Sequence, residues 1–152
     1  MNDLEPVDER FVTVLRLRSA ILSVFMVAGA ALAEFFVPRW TGVFAVPALV
    51  FAIATVGLLP RRRWAVRRFA MREDELRSVY GLVNRWDVTV PFRRVQHIDV
   101  TRSAIERANG LATLVLHTAG AGVSAISVEG LDHRRAESMR DHIRDILKAQ
   151  TA

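Results

Sequence analysis

The sequence predicts an α+β protein: an N-terminal two-helix transmembrane hairpin, then an antiparallel β domain closed by a C-terminal α-helix. Three observations carry this. Two apolar runs lie side by side, Ser19–Val37 with a single charge at Glu34 and Trp40–Pro60 with none. Six arginines and no acid follow within residues 61–72. Beyond them, short alternating segments are separated by turn residues, and the chain ends in an amphipathic helical pattern. The expected organisation is a cytoplasmic tail over 1–18, the hairpin over 19–60 and a cytoplasmic domain over 61–152.

A bilayer core of about 30 Å takes roughly 20 helical residues. Trp40–Pro60 meets that length unaided, and Ser19–Val37 meets it with Glu34 near one interface. Pro38-Arg39 between the runs, flanked by Phe35, Phe36 and Trp40, suits a turn at the membrane–water boundary. Glu34 reads as an interfacial carboxylate beside Arg39 rather than part of an ion path, because two helices make a poor pathway. Ala28, Gly29, Ala33, Ala45, Ala48 and Ala52 allow close helix packing, and Pro47 should kink the second helix. A cleaved signal peptide fits the first run less well, since its leading segment is long and mostly acidic and a second span follows at once. Lys/Arg counts are three before the first span, one in the link and six in 61–72. The positive-inside rule then gives a multi-pass plasma-membrane protein with both termini in the cytoplasm.

In the domain, Trp64–Arg72 reads as a first strand, Glu73-Asp74 as a turn and Glu75–Tyr80 as a second strand, broken at Gly81. Asn84–Val90 alternates, with Trp86, Val88 and Val90 on one side, and Pro91 closes it. Val95–Arg102 sets Gln96, Ile98 and Val100 opposite His97, Asp99 and Thr101. Ser103–Asn109 reads as a loop or short helical turn ended by Gly110. Leu111–Thr118 and Val123–Glu129 form a hairpin about Gly120-Ala121-Gly122. A helix from His133 to Lys148 follows, with Asp132 as N-cap and Ala136, Met139, Ile143, Ile146 and Leu147 as its apolar stripe. About six antiparallel strands and one such helix make a curved sheet or open barrel whose open end the helix plugs.

The stretch Val90-Pro91-Phe92-Arg93-Arg94-Val95-Gln96-His97-Ile98, continuing through Ile105-Glu106-Arg107-Ala108-Asn109-Gly110-Leu111 to Thr118-Ala119-Gly120, resembles the bacterial pleckstrin-homology-like proteins of the YdbS type, also called membrane-flanked domain proteins. The order of parts is similar too, and the resemblance covers roughly residues 10–150. Phe92 stands where such proteins commonly carry Tyr. The resemblance implies a PH-like antiparallel β split barrel capped by the C-terminal helix, and it carries no catalytic residues.

Charge narrows the partners. Residues 1–60 hold four Arg and five acids, and residues 73–152 hold eleven basic and eleven acidic residues, so the net +5 is essentially the 61–72 block. A nucleic-acid binder would spread its charge over a domain face, and nucleic acid is therefore not an expected partner. The chain has no cysteine, which excludes disulfides and Cys-ligated zinc. Arg61, Arg62, Arg63, Arg67 and Arg68 read as a lipid-facing basic cluster, attracted to anionic headgroups and doubling as the topology signal. Arg94, Gln96 and Arg107 form a possible polar ligand site, or else satisfy backbone groups at strand starts and the Gly110 turn. His97 and Asp99 share a strand face, yet no Gly-x-Ser-x-Gly elbow accompanies them. With His117, His133 and His142 they lack the spacing of a metal motif. Gly120-x-Gly122 precedes no helix and is not a phosphate loop.

The function expected is a non-enzymatic, membrane-anchored interaction or scaffolding module without cofactor or metal. It would bind membrane lipids, another membrane protein or a copy of itself. The alternative is a subunit of a small membrane enzyme or transporter acting on lipids or envelope precursors.

Overall fold

The computed structural model describes residues 4–36, 42–118 and 125–151. The chain divides into two units, one formed by residues 12–62 and the other by the residues up to Phe11 together with those from Arg63 onward. The expected tail over 1–18 is thus shared between them. Its first part carries a strand, and helix α1 (Phe11–Phe36) starts eight residues before Ser19.

The helical unit holds most of α1 and of α2 (Ala45–Ala65). At 1.5 Å per residue the 26 residues of α1 span about 39 Å. Two contacts show that the helices run antiparallel. The Glu34 carboxylate accepts from the backbone N–H groups of Gly42 (2.7 Å), Phe44 (3.2 Å) and Ala45 (3.1 Å). Ser23 and Thr55 approach to 3.3 Å through their hydroxyls. From Ser23 to Glu34, and from Phe44 to Thr55, the chain advances eleven residues, as side-by-side opposed helices require. Glu34 is therefore the cap of α2: its charge meets N–H groups that have no carbonyl within the helix. Its expected partner Arg39 lies outside the described residues.

Pro47 does not kink α2. It sits in the first turn, where a missing N–H breaks no bond. The irregularity lies later, as a π turn over Ala54–Leu58 just before Pro60. A proline inside a helix clashes with the carbonyl four residues back, and a widened turn relieves that clash. The helix continues to Ala65, so Trp64–Ala65 is helical rather than the start of a strand. Apolar residues face outward all round this unit: Leu22 is 72 % exposed, Phe25 73 %, Val50 62 % and Ile53 63 %. Both helices are long and apolar enough to cross a membrane.

The second unit is α+β. Strand β1 (Glu5–Pro6) pairs antiparallel with β2 (Arg68–Met71), β2 with β3 (Glu75–Tyr80), and β3 with β4 (Trp86–Pro91). A single 3-10 turn, Phe92–Arg94, leads into the second sheet, with Phe92 fully buried at the corner. That sheet runs β5 (Val95–Thr101), β6 (Leu111–Thr118), β7 (Ala125–Asp132), all antiparallel. The Gly120-Ala121-Gly122 connection lies outside the described residues, but His117 opposite Ala125 shows the hairpin pairing on its flanks. A bulge between Val95 and His97 breaks the expected alternation, leaving Gln96 exposed instead of inward with Ile98.

Between β5 and β6 lies α3 (Ala104–Ala108), a helix rather than a loop because of a capping box. The Ser103 N–H donates to Glu106 Oε2 (2.8 Å), and the Glu106 N–H donates to Ser103 Oγ (3.2 Å). The other Glu106 oxygen accepts from Thr113 Oγ1 at 2.9 Å, so this 3 %-exposed carboxylate is held at both ends. Helix α4 (His133–Thr151) closes the unit. Asp132 Oδ1 accepts from the Arg134 N–H at 3.1 Å, the N-cap bond expected from the sequence. Ala136, Met139 and Ile143 are buried by helix spacing, against Leu114, Leu116, Ile126 and Val128 of the fully packed sheet interior.

Candidate functional site

The basic block is divided by its own secondary structure. Arg61, Arg62 and Arg63 are exposed on the last turns of α2, fanned by the 100° step of the helix. Arg68, at the start of β2, is exposed as well. Arg67 differs: its guanidinium meets Glu129 Oε2 at 3.1 Å and lies over the Phe11 ring, 5.2 Å from the centroid. Its charge is matched inside the domain, tying the residue before β2 to β7 and to the N-terminal segment. Four of the five arginines are thus exposed, and the fifth organises the fold.

Around Arg67 and Arg68 the domain opens a cleft of about 200 Å³, bordered by Ser78, Tyr80, Ser127 and Glu129. It lies where β3 faces β7, the gap between the two sheets. A second concavity is bordered by Arg10, Arg102, Asp132 and His133. Here Arg10 donates to Asp8 Oδ2 (2.8 Å) and Asp132 Oδ2 (2.7 Å) at once. The Arg10 hydrogen bonds hold both carboxyls below the ordinary aspartate range, and those carboxylates raise Arg10 in turn. The same segment is anchored by Trp64, whose indole N–H donates to the Val7 carbonyl at 2.9 Å. This concavity is a clasp between the chain's beginning and its C-terminal domain.

Arg94, Gln96 and Arg107 are exposed on three separate elements: the 3-10 turn, the β5 bulge and α3. None of them borders either cleft. The backbone role expected of Arg107 is performed by Arg102, which donates to the Leu111 carbonyl (3.1 Å) and the Arg107 carbonyl (3.4 Å). Arg102 stands just before the Ser103 cap, which places it beside the α3–β6 turn that it serves.

His97 and Asp99 do share a face, and β6 adds His117. The Asp99 carboxylate meets His97 Nε2 through one oxygen (2.8 Å) and His117 Nε2 through the other (3.3 Å), with the rings 5.9 Å apart. The cross-strand register of His97 and His117 produces this arrangement. Because each imidazole is directed at its own oxygen, the three groups share no common vertex. Among the described residues no group of three or more His, Asp or Glu side chains is arranged to hold a metal ion.

Comparison with known proteins agrees with this architecture. The family model described as "Bacterial PH domain" matches residues 15–146, which takes in most of both apolar helices and strands β2 to β7 and reaches into the final helix. The chain is 32 % identical over 127 residues to the UPF0699 transmembrane protein YdbS of Bacillus subtilis (strain 168), covering 82 % of this chain and 78 % of that protein. No solved structure matches the chain. With two apolar helices, two antiparallel sheets and a capping C-terminal helix in the order these matches span, the chain belongs to the bacterial PH domain family.

Proposed function

We propose that this protein is a non-enzymatic membrane-anchored interaction module. Its helical hairpin spans the plasma membrane, and its PH-like domain is presented at the cytoplasmic face to a membrane-protein partner or to anionic headgroups. The observation that carries the topology is β1. Glu5 and Pro6, before the first apolar helix, pair with Phe69 and Arg68, after the second. Two segments in one sheet lie on one side of a membrane, so the apolar chain between them crosses an even number of times. Arginine placement supports the cytoplasm as that side: three before the first run and six after the second, against one between.

The test of topology is a reporter active only after export, fused behind Ala152. It is expected to be silent, and activity in the periplasm would overturn the orientation. Co-purification from detergent-solubilised membranes tests the interaction role. The expected result is a recurrent stoichiometric partner, or retained anionic lipid; recovery of neither, with turnover of an envelope precursor by the pure protein, would reverse the reading.

A further inference from the structure

The β3–β4 turn carries apolar surface that the domain leaves in the open. Val83 is 92 % exposed, Trp86 57 %, Leu82 42 % and Tyr80 37 %. Turn tips are normally polar, so four large apolar side chains within seven residues call for an environment other than water. The tip is shaped, not loose. Tyr80 and Trp86 are paired across the strands at its base. Gly81 has φ +103, and a Cβ there would fall 1.9 Å from the Asn84 carbonyl oxygen, so only glycine fits the turn.

Charge around the tip points the same way. Arg85 is exposed within the turn. The register of Arg68 with Val79 puts the start of β2 at the same end of the sheet. That strand begins three residues after α2 ends at Ala65. The neighbouring acid, Asp87, is engaged by Arg77 at 2.8 Å.

We infer that this tip inserts into an anionic lipid leaflet. Leu82 and Val83 enter the acyl boundary, Tyr80 and Trp86 lie at headgroup level, and Arg68 and Arg85 meet the lipid phosphates. Aromatic rings with a polar atom favour that level, and basic residues beside it favour anionic lipid. The inference rests on the anchored reading above and deepens it by naming lipid as what this surface meets. Because the anchor already holds the domain at the bilayer, a small insertion suffices: the event is intramolecular, at high effective concentration.

The chain's lack of cysteine allows a direct test with the full-length protein. Val83→Cys carries an environment-sensitive fluorophore in lipid nanodiscs, either zwitterionic or containing phosphatidylglycerol. Lys148→Cys, at a side chain 80 % exposed on α4, is the reference. With anionic lipid, quenching by aqueous iodide should fall several-fold at position 83 relative to position 148, and a lipid-borne nitroxide should quench position 83 selectively. Adding Leu82→Asp should restore iodide access; this exposed residue carries none of the domain's core. Equal iodide access at both positions in every nanodisc, with the protein resisting carbonate extraction, overturns the insertion and leaves the anchored reading intact. Extraction by carbonate overturns the anchored reading and this inference with it. Shielding in native membrane vesicles but in no lipid-only disc assigns the tip to a protein partner and overturns the lipid assignment.

Discussion

Phe11 has no exposed surface, packs on Gly130 and lies under the Arg67 guanidinium. Gly130 has φ +75, and a Cβ there would stand 2.6 Å from Phe11 Cγ, so the ring occupies the space a side chain would fill. Phe11→Ala should destabilise the β domain by about 3–5 kcal/mol, and Gly130→Ala should also lower its stability, both read by thermal unfolding of the full chain in detergent. Beside this ring, the Arg10 clasp makes a second contribution of about 1 kcal/mol or less, because the pairs are half-exposed. Its pH dependence has a definite sign. Asp8 and Asp132 are held below their ordinary value of 3.8, so the clasp is fully present above that value and is lost as pH falls through the lowered folded-state values. The gap in stability between wild type and Arg10→Gln should be flat near neutrality and close in acid. A gap that widens on acidification would show that the carboxylates are not what Arg10 stabilises.

At the scale of elements, α4 caps the domain through a short stripe. Ile143 is fully buried, whereas Ile146 and Leu147 are only partly covered. Ile143→Ala should cost about 2–5 kcal/mol and Ile146→Ala clearly less, with thermal unfolding of the full chain separating them. The helix and the strands Glu75–Tyr80 and Leu111–Thr118 were legible because their periodicity is long and bounded by Gly or Asp. The basic block was legible as composition, but not the inward turn of Arg67, whose partner Glu129 is 62 residues away. Strand β1 was hidden for the same reason. A two-residue strand containing proline has no periodicity, and its pairing is a property of the folded sheet. Near Trp64, aromatic and apolar residues fit helix and strand equally, and the helix prevails because α2 simply continues. Gln96 was misplaced by a bulge, which shifts every inward–outward assignment before it by one. These departures change what fragment is meaningful. A piece starting at residue 61 lacks Phe11 and β1, and would expose the β2 edge and the pocket over Gly130.

For the whole molecule, the proposed orientation rests on arginines at the end of α2 rather than on any contact they make. Arg61, Arg62 and Arg63 are exposed, so changing all three to Gln should leave the β domain's unfolding temperature unchanged while mixing the topology of the inserted chains. Protease protection of a C-terminal tag in inverted and right-side-out vesicles measures the mixture. Uniform topology in the triple variant would assign orientation to Arg67, Arg68 and Arg72 or to the amino-terminal residues.

The pairing of β1 with β2 also orders events during synthesis. Pro6 leaves the ribosome 62 residues before Arg68, its partner across the sheet. At about 5–20 residues per second the first strand and Phe11 wait several seconds without a place to pack. Both apolar helices are made in that interval, so the domain closes only after the membrane segment has taken its course. A chain that left its amino end on the far side of the bilayer would deliver neither β1 nor Phe11 to the sheet, and its domain would stay open to proteolysis. In the proposed topology, domain closure therefore depends on both ends of the hairpin being delivered to one side of the bilayer.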